Sequence, residues 1–322
     1  MRPIIVIESH IPFLQDVLTS YADVRFLPPE SITPTTIADA DALVIRTRTQ
    51  CNASLLNGTN IRYILTATIG CDHIDMDYCQ KNEIQVFSCP GCNAQAVCDY
   101  VEEVIQCYSQ DPLLNPLGIN NTKGLTLGVV GIGNVGSLVC KLGERLGMHV
   151  LKNDPPKQIG VDLEQLVQES DIITFHTPLT HSIPHATYHL CDASLLAKCR
   201  PNALIINAAR GGIIDEHALL ETQLPYVLDC WEGEPKINTQ VLERAWMASY
   251  HIAGYSIEGK MNASQMCLDN LSKVFGFPFL SIDKKDVPLQ GDNKSGWLMR
   301  ITNQIKSEPS AFEELRKQYK LR

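Results

Sequence analysis

The sequence has no run of apolar residues long enough to cross a membrane. Near its start, the apolar stretch Ile4–Ile7 ends at Glu8, which is too short for the hydrophobic segment of a secretory signal peptide. Basic residues are also in the minority, since 27 Lys and Arg stand against 36 Asp and Glu and give a net charge of -9. Nucleic acids and anionic membrane surfaces need clustered positive side chains. We therefore expect a cytoplasmic protein that binds neither nucleic acid nor membrane.

A complete zinc-binding motif is missing as well. The segment Cys89–Cys92 (CPGC) has the C-x-x-C spacing of redox or zinc sites, but no second such pair follows it. A Pro-Gly turn flanked by two incidental thiols is the simpler interpretation. His181, His185 and His189 are interrupted by Pro184, which favours a solvated loop over a metal-binding helix face. Twelve cysteines without an export signal indicate a reducing compartment, and we expect no metal site.

A glycine-rich turn lies between an apolar run and an amphipathic segment in the middle of the sequence. The turn has the spacing Gly131-x-Gly133-x-x-Gly136, after Leu125–Val130 and before the helical pattern of 134–146. Such spacing lets the chain turn tightly, lets the backbone approach a pyrophosphate, and lets the helix pack against the sheet. The phosphates would bind the free N–H groups at the start of the helix. The pattern predicts a dinucleotide-binding site.

An acidic residue follows the glycine motif at the distance where dinucleotide-binding proteins bind a ribose hydroxyl. Asp154 lies eighteen residues beyond Gly136, after a second apolar piece at 149–151. Because its carboxylate would repel a 2′-phosphate, the sequence favours NAD over NADP. A lone glycine motif can also occur in S-adenosylmethionine enzymes or by chance. The order strand, turn, helix, strand and acid favours the dinucleotide.

Short runs rich in β-forming residues alternate with polar or helical connections along most of the chain. This alternation predicts an α/β protein with two doubly wound parallel sheets, covered by helices. A helix over 93–110 would link the first sheet to the domain with the glycine motif. The predicted strands are Ile4–Ile7, Val24–Phe26, Ala42–Ile45, Tyr63–Leu65 and Gln85–Ser88, then Leu125–Val130, His149–Leu151, Ile172–Phe175, Ala203–Asn207 and Tyr226–Asp229.

Two further helices are expected after the second sheet. The segment 258–275 has helical periodicity and would cross back to the first domain. The next segment, 278–295, is rich in Pro, Gly and Asp and is expected to be an irregular linker. Ser310 with Glu313 has the pattern of a capping box ahead of a final helix. That helix would serve in packing or in subunit contact.

Polar loops follow two strands of the first predicted sheet, at the end where ligands bind in open α/β sheets. One loop is Arg46–Thr49 and the other is Thr66–His73. Both offer hydroxyl, backbone N–H or guanidinium groups. Ligand-binding loops and plain solvated turns are both compatible with these residues.

Oxidation of a hydroxy acid beside a nicotinamide needs a base for the hydroxyl proton and a cation for the carboxylate. Arg210 follows a strand of the buried type, and the glycines after it would let a ligand approach. His251 ends an apolar run, and a carboxylate in Asp229–Pro235 could fix its tautomer and raise its pKa. The alternatives are a surface arginine paired with Asp215 or Glu216, and a histidine with a structural role only.

The motifs of this chain occur in an order that resembles the D-2-hydroxyacid dehydrogenases, and together they span nearly the whole sequence. The ordered set is more specific than any one of its members. It consists of TATIGCDHID from Thr66, PGCNA from Pro90, GIGNVG from Gly131, Asp154, FHTP from Phe175, NAARGGIIDE from Asn207, WEGEP from Trp231, HIAGY from His251 and the terminal FEELRKQY from Phe312.

The resemblance implies roles for individual residues. Arg210 would bind and polarise the substrate, His251 would donate or accept the proton, and Glu234 would pair with His251. Thr47, Thr68 and Tyr255 would contact the substrate, a small phosphorylated 2-hydroxy acid. Its phosphate could be bound by Arg46, Arg48 or Arg62. The residues expected to contact NAD are Gly131, Gly133, Asn134, Val135, Gly136, Asp154, Thr177, Asp229 and Gly254.

The resemblance also implies an architecture. A Rossmann NAD domain, 99–257, would be inserted into a discontinuous flavodoxin-like substrate domain made of 1–98 and the return helix 258–276. The remaining 277–322 would be a short C-terminal extension of the dimerisation type, and the assembly would be a homodimer. This extension is shorter than the resemblance leads us to expect. Thr47 stands where the pattern has serine, and Tyr250 stands where it has proline.

The activity implied by the resemblance is NAD-dependent oxidation of a phosphorylated D-2-hydroxy acid. A 3-phosphoglycerate or hydroxypyruvate type of dehydrogenase is one alternative. A non-catalytic NAD-sensing regulator is another, because corepressors that resemble this family use the same fold. The presence of Arg210, Glu234 and His251 together favours an enzyme.

Overall fold

The computed structural model describes residues 2–112, 114, 122–283 and 296–321. They divide into two compact units, which we call the first unit (Met1–Asn93 with Ser256–Gln290) and the second unit (Ala94–Tyr255 with Gly291–Arg322). Part of the linker expected over 278–295 lies outside the described residues. Within them, no helix is both long enough and apolar enough to span a membrane.

The first unit is a parallel sheet with an apolar core on each face. Its elements, numbered along the chain, are β1 (Ile4–Glu8), α1 (Gln15–Leu18), β2 (Asp23–Leu27), β3 (Ala42–Ile45), α2 (Ala53–Leu56), β4 (Tyr63–Thr66), α3 (Met76–Lys81), β5 (Gln85–Phe87) and α10 (Ile257–Phe275). The strand order is β2-β1-β3-β4-β5. Successive side chains of a strand point to opposite faces, so Ile5 and Ile7 pack in the core that includes Leu268 of α10, while Val6 packs in the other.

The second unit is a larger sheet in which every strand pair but one is parallel. Its elements are α4 (Ala94–Gln110), β6 (Thr126–Val130), α5 (Asn134–Arg145), β7 (His149–Asp154), β8 (Ile159–Gly160), α6 (Leu163–Glu169), β9 (Ile172–Phe175), α7 (Ala193–Leu196), β10 (Leu204–Asn207), α8 (Glu216–Glu221), β11 (Tyr226–Leu228), α9 (Thr239–Arg244), β12 (Met247–Ala248), α11 (Trp297–Ser307) and α12 (Phe312–Gln318). The strand order is β12-β11-β10-β9-β6-β7-β8, with β8 antiparallel to β7.

The strand order of the second unit reverses direction beside β6. From β6 the chain first builds outward to β7 and β8, and it then returns to the opposite side for β9 and the strands that follow. In open α/β sheets, ligands bind at such a switch point, outside the carboxyl ends of the strands. The loops after β6 and β9 therefore lie where a ligand is expected to bind.

The predicted fold class is confirmed, since both sheets are parallel apart from β8 and carry flanking helices. The structure differs in detail. β7 continues through Asp154, three residues further than predicted, and the short strands β8 and β12 were not predicted. The helix predicted to link the domains, α4, lies wholly in the second unit because its apolar face, including Tyr100 and Val104, packs in that unit's core.

The C-terminal helices pack on the second unit of the same chain. Trp297 and Leu298 of α11 and Phe312 of α12 lie in its core, and α11 was not predicted. The expected capping box is absent: Ser310 lies in a 3₁₀ turn that begins at Pro309, and the helix starts only after this turn, with no side-chain cap. The apolar face of the extension is thus used for packing within the chain.

Candidate active site

The glycine turn after β6 is tightly packed on one side and open on the other. Gly131 has φ +87°, and a Cβ there would lie 2.8 Å from the carbonyl carbon of His176 in the loop after β9. A Cβ on Gly136 would lie only 1.9 Å from the Gly131 carbonyl oxygen and 3.5 Å from Val129 of the sheet. The absence of a side chain at Gly136 therefore lets α5 lie directly against the glycine turn. A Cβ on Gly133 would meet no atom within 4 Å. Gly133 therefore faces open space.

The start of α5 is free to bind an anion. Gly133 is its N-cap and provides no side-chain hydrogen bond, so the N–H groups of the first turn, including those of Asn134 and Val135, receive no side-chain cap. Uncapped N–H groups at the positive end of a helix suit a pyrophosphate. The open space at Gly133 lies at this helix start. The backbone geometry fits the dinucleotide predicted from the sequence.

Asp154 ends β7 beside the glycine turn. It is nearly buried, and its Oδ2 accepts a hydrogen bond of 2.8 Å from the Ile132 N–H. Lys157 places Nζ 3.5 Å from the same oxygen and donates to the Ile132 carbonyl at 2.6 Å. The carboxylate therefore lies against the turn that would hold the pyrophosphate. Lys157 was not recognised from the sequence.

Thr177, in the loop after β9, has a buried hydroxyl without a hydrogen-bond partner among the described residues. A buried hydroxyl without a hydrogen-bond partner costs free energy, and a ligand that hydrogen-bonds to it removes this cost. Its neighbour His176 places Nε2 3.0 Å from the Thr174 hydroxyl. Burial lowers the pKa of His176 to about 3, so this histidine is neutral. Thr177 thus has the property expected of a cofactor-binding residue.

His251 and Glu234 form a direct hydrogen bond. His251 Nδ1 lies 2.8 Å from Glu234 Oε2, and the other carboxylate oxygen accepts the Trp231 N–H at 2.8 Å, which fixes the carboxylate. Burial lowers the pKa of His251, but Cys230 and Glu234 raise it more, and the net pKa lies well above the usual value. Burial raises the pKa of the Cys230 thiol too, so Glu234 is the partner that stabilises the imidazolium.

Asp229 holds the loop that carries His251. The buried carboxylate accepts hydrogen bonds from the Ser249 hydroxyl at 2.7 Å, the Ile252 N–H at 2.7 Å and the Ala253 N–H at 3.0 Å. The Asp229 carbonyl also accepts the His251 N–H at 2.9 Å. Gly254 follows in the same loop. A structural role for Asp229 is thus visible, and its predicted contact with NAD stays a prediction.

Arg210 lies in a loop after β10 that packs against the Glu234 loop. Asn207 closes the loop, since its Nδ2 donates to the Arg210 carbonyl at 2.8 Å. A Cβ on Gly211 would lie 2.0 Å from the Trp231 carbonyl oxygen, so only glycine permits this approach. The structure therefore brings the loops of Arg210, Glu234 and His251 together at the carboxyl ends of β10, β11 and β12.

Comparison with known proteins agrees with this geometry. Residues 109–253 match the family described as "D-isomer specific 2-hydroxyacid dehydrogenase, NAD binding domain". The erythronate-4-phosphate dehydrogenase of Bacteroides thetaiotaomicron is 37% identical over 345 residues, which cover 99% of this chain and 96% of that protein. The enzyme of the same name from Marinobacter nauticus is 39% identical, over 85% of this chain and 73% of that protein.

The chain belongs to the D-isomer specific 2-hydroxyacid dehydrogenase family. It is an NAD-dependent dehydrogenase, as the family's NAD-binding domain requires. A solved structure of 3-phosphoglycerate dehydrogenase from Entamoeba histolytica with bound NAD+ has a TM-score of 0.71. The two chains are 23% identical, and the match covers 87% of this chain and 98% of the other. This similarity supports the family fold. The resemblance inferred from the sequence motifs is thus confirmed.

One residue missed by sequence reasoning connects two predicted site residues of this family member. Arg316, on α12, donates from Nε to the Tyr255 hydroxyl at 3.2 Å, and its Nη1 lies 3.8 Å from Glu234 Oε2. Arg316 lies within the terminal FEELRKQY motif, but the motif alone gives this arginine no role. Only the packing of α12 against the second unit places Arg316 beside the pair of His251 and Glu234.

The substrate residues predicted in the first unit follow neighbouring strands of its sheet. Thr47 is exposed after β3. Thr68, after β4, has its hydroxyl 2.6 Å from the Thr66 hydroxyl and donates to the Gly70 carbonyl at 3.0 Å. Glu8, which the sequence did not single out, is buried and accepts the Arg46 N–H at 2.9 Å and the Thr49 hydroxyl at 3.0 Å. Glu8 thereby shapes the loop that carries Thr47.

The arginines proposed for the phosphate differ in their surroundings. Arg62 precedes β4, at the amino ends of the strands rather than at their carboxyl ends. Its Nη2 lies 2.7 Å from Asp41 Oδ1. Arg46 follows β3 and lies near Lys260 of α10, which the sequence analysis missed. Burial, and then the Arg46 charge, lower the pKa of Lys260 to about 8. A buried ammonium group with a guanidinium nearby is an arrangement that an anion would stabilise.

The histidines and cysteines considered for metal binding have other contacts. The three histidines lie in a loop, as predicted, with His181 and His185 exposed. His189 is only partly exposed: its ring stacks on Tyr188 and places Nε2 2.9 Å from Glu232 Oε1. The CPGC segment forms the predicted turn, with Gly91 at φ +82° and the Cys92 N–H bonded to the Cys89 carbonyl. That no metal is required stays a prediction.

Proposed function

We propose that this protein oxidises 4-phospho-D-erythronate to 3-hydroxy-2-oxo-4-phosphobutanoate with NAD, a step of pyridoxal phosphate (vitamin B6) biosynthesis. The proposal is supported above all by the 37% identity, over nearly the whole length of both chains, to an erythronate-4-phosphate dehydrogenase. The reaction transfers a hydride from C2 of the substrate to NAD and releases the proton of the C2 hydroxyl. The alcohol becomes a ketone as NAD becomes NADH.

His251 is the base that takes the hydroxyl proton. Its Nδ1 is bound to Glu234, which leaves Nε2 as the nitrogen that exchanges the proton with the substrate. Glu234 stabilises the imidazolium that results and keeps the ring oriented, since its second oxygen is fixed by the Trp231 N–H. In the reverse direction the same imidazolium returns the proton to the carbonyl oxygen.

Arg210 binds the carboxylate of the substrate next to the reacting carbon. A guanidinium can donate two parallel hydrogen bonds to a carboxylate, which orients the substrate as well as binding it. The loop of Arg210 lies against the loop of Glu234 through Gly211. This arrangement supports a role in which Arg210 and His251 act on adjacent groups of one molecule.

Arg46 and Lys260 bind the phosphate of the substrate. A phosphate dianion would offset the mutual repulsion of the two cations and the burial of Lys260, whose pKa is lowered to about 8. Thr47 and Thr68 supply hydroxyl groups from the same edge of the sheet, and Tyr255 contacts the hydroxy acid.

The residues that contact NAD all belong to the second unit. Gly131, Gly133 and Gly136, with the first N–H groups of α5, hold the pyrophosphate, and Asp154 binds the ribose. Thr177 uses its unpaired buried hydroxyl for the cofactor. Asp229 and Gly254 contact it from the loops after β11 and β12.

Turnover is tested by NADH absorbance with purified protein, NAD and a panel of 2-hydroxy acids. We expect activity with 4-phospho-D-erythronate and much lower activity with 3-phosphoglycerate and glycerate. Activity only with the latter two would overturn the substrate and keep the family's chemistry. A His251→Asn variant should still bind NAD but produce no NADH. No turnover by the wild type with any acid in the panel would favour an NAD-sensing regulator.

A homodimer in the cytoplasm is also part of the proposal. It rests on the motif resemblance alone. Light scattering during size-exclusion chromatography measures the mass directly, and a mass near that of one 35.8 kDa chain would exclude the dimer.

A further inference from the structure

Arg316 is held in place by the apolar residues of its own helix. Phe312 and Leu315 of α12 are buried in the core of the second unit. The Arg316 side chain is only 24% exposed, whereas its neighbour Lys317 is exposed. A partly buried guanidinium carries more electrostatic influence than a surface one because water screens it less.

Arg316 contacts both a residue proposed to bind the substrate, Tyr255, and the carboxylate that pairs with the proposed base, Glu234. Its Nε donates to the Tyr255 hydroxyl at 3.2 Å. Its Nη1 lies 3.8 Å from Glu234 Oε2, the same oxygen that lies 2.8 Å from His251 Nδ1. Glu313, one turn earlier on α12, lies 3.6 Å from the same Nη1 and shares the positive charge.

The charge balance at His251 therefore has contributions from several elements. Glu234 is the direct carboxylate partner, Cys230 is a buried thiol beside the ring, and Asp229 lies in the loop below it. Arg316 opposes the effect of Glu234, and Glu313 in turn weakens Arg316. The Tyr255 hydroxyl lies on the other side of Arg316.

We propose that Arg316 is a positioning residue of the dehydrogenase, which shares Glu234 with His251 and fixes the Tyr255 hydroxyl for the substrate. This proposal rests on the proposed catalytic role of His251. Without the cation, Glu234 would hold the proton on His251 more strongly, and the base would form only at higher pH. Without the guanidinium N–H that binds its hydroxyl, Tyr255 would lose its fixed orientation.

The decisive measurement is the pH profile of kcat/KM in the direction of hydroxy-acid oxidation. In Arg316→Gln, which keeps a hydrogen-bond donor but no charge, the acidic limb should move up by roughly 0.5 to 1 pH unit. Arg316→Lys keeps the charge, so its limb should stay near the wild-type position while KM rises. Lys317→Gln, on the exposed side of the same helix, is the matched control and should change neither.

A second variant predicts a shift of opposite sign. Glu313→Gln removes the carboxylate that shares Arg316, so the cation should act more strongly on Glu234 and move the acidic limb to lower pH. A loss of packing cannot produce shifts in both directions. Unchanged limbs in Arg316→Gln and Glu313→Gln, or equal shifts in Arg316→Gln and Arg316→Lys, would overturn the proposal.

The same question can be answered without a substrate. The His251 imidazole can be titrated by NMR, with its signal assigned by its loss in His251→Asn. If the wild type turns over no tested acid, the proposed function fails, but a higher His251 pKa in Arg316→Gln would still support the role of Arg316. An unchanged His251 pKa would reject that role whatever the substrate.

Discussion

Glu234 holds His251 with one carboxylate oxygen while its other oxygen is fixed by the Trp231 backbone N–H. Both hydrogen bonds are 2.8 Å long, so the carboxylate is oriented from both ends. The imidazole thus has a partner that favours its protonated form and a ring orientation that does not depend on the substrate.

Replacing Glu234 by Gln should lower the pKa of His251, because the neutral amide no longer stabilises the imidazolium. We expect the acidic limb of the oxidation profile to move to lower pH and kcat/KM to fall roughly 10- to 100-fold. Reduction of the keto acid, which needs a protonated His251, should suffer more above neutral pH. Glu232→Gln, which changes a neighbouring carboxylate bonded to His189, is the matched control. Equal losses in both variants would contradict the assignment.

Glu216 should make the protein less stable as the pH rises. Burial, with the charges of Glu232, Glu234 and Asp215, raises its pKa to about 7 from a usual value of 4.5. The folded state therefore holds a proton that the unfolded state releases, and stability decreases between these two pH values by up to about 3 kcal/mol. Glu216→Gln should remove this dependence in thermal melts from pH 4 to 8. Glu221→Gln, exposed on the same helix, should retain it.

Two of the motif glycines, Gly136 and Gly133, should respond differently to alanine. Gly136→Ala would force a Cβ to 1.9 Å from the Gly131 carbonyl oxygen, so we expect about 1–3 kcal/mol or more of destabilisation. Gly133→Ala meets no atom within 4 Å and has φ -84°, so stability without NAD should change by less than about 0.5 kcal/mol. Its NAD affinity should nevertheless fall at least about tenfold, because the methyl group occupies the space of the pyrophosphate. Thermal melts with and without NAD separate the two effects, and unchanged affinity in Gly133→Ala would place the phosphates elsewhere.

Lys260 should matter only for phosphorylated substrates. Lys260→Gln should raise KM for 4-phospho-D-erythronate at least about tenfold and leave KM for an unphosphorylated 2-hydroxy acid unchanged. Since the pKa of Lys260 is lowered to about 8, the wild-type KM for the phosphorylated acid should also rise as the pH passes this value. Lys273→Gln, exposed at the far end of the same helix, is the control. A similar KM change for both kinds of substrate would assign Lys260 a structural role.

The sequence predicted the fold well because both sheets consist of short, buried, β-rich strands with a clear alternation of elements. The Asp154 strand and the helix after the glycine motif were located within a few residues. Strands of only two residues, such as β8 and β12, could not be predicted, because they are too short to show an alternating pattern. The capping box failed for a local reason, because Pro309 starts a 3₁₀ turn before α12.

The candidate site was predictable where a motif carries it and not where packing does. Arg210, Glu234 and His251 lie in loops whose order along the chain has a recognisable pattern, and the structure brings these loops together. Lys260 and Glu8 lie outside the motifs described above, and Arg316 lies in a motif that gives it no role. The roles of all three depend on contacts that only the folded chain creates. Asn207 could have been found, since it precedes Arg210 at the end of a buried strand.

His251 has a left-handed backbone conformation, with φ +59°. Residues with a side chain rarely adopt this conformation, although asparagine does so more easily than most. Glycine, which has no side chain, adopts it freely. The position is therefore one where folding preference and chemistry select different residues: the backbone would accept glycine, whereas proton transfer requires an imidazole. Glycine would relieve the backbone cost at this position, but it would remove the hydrogen bond to Glu234 together with the base.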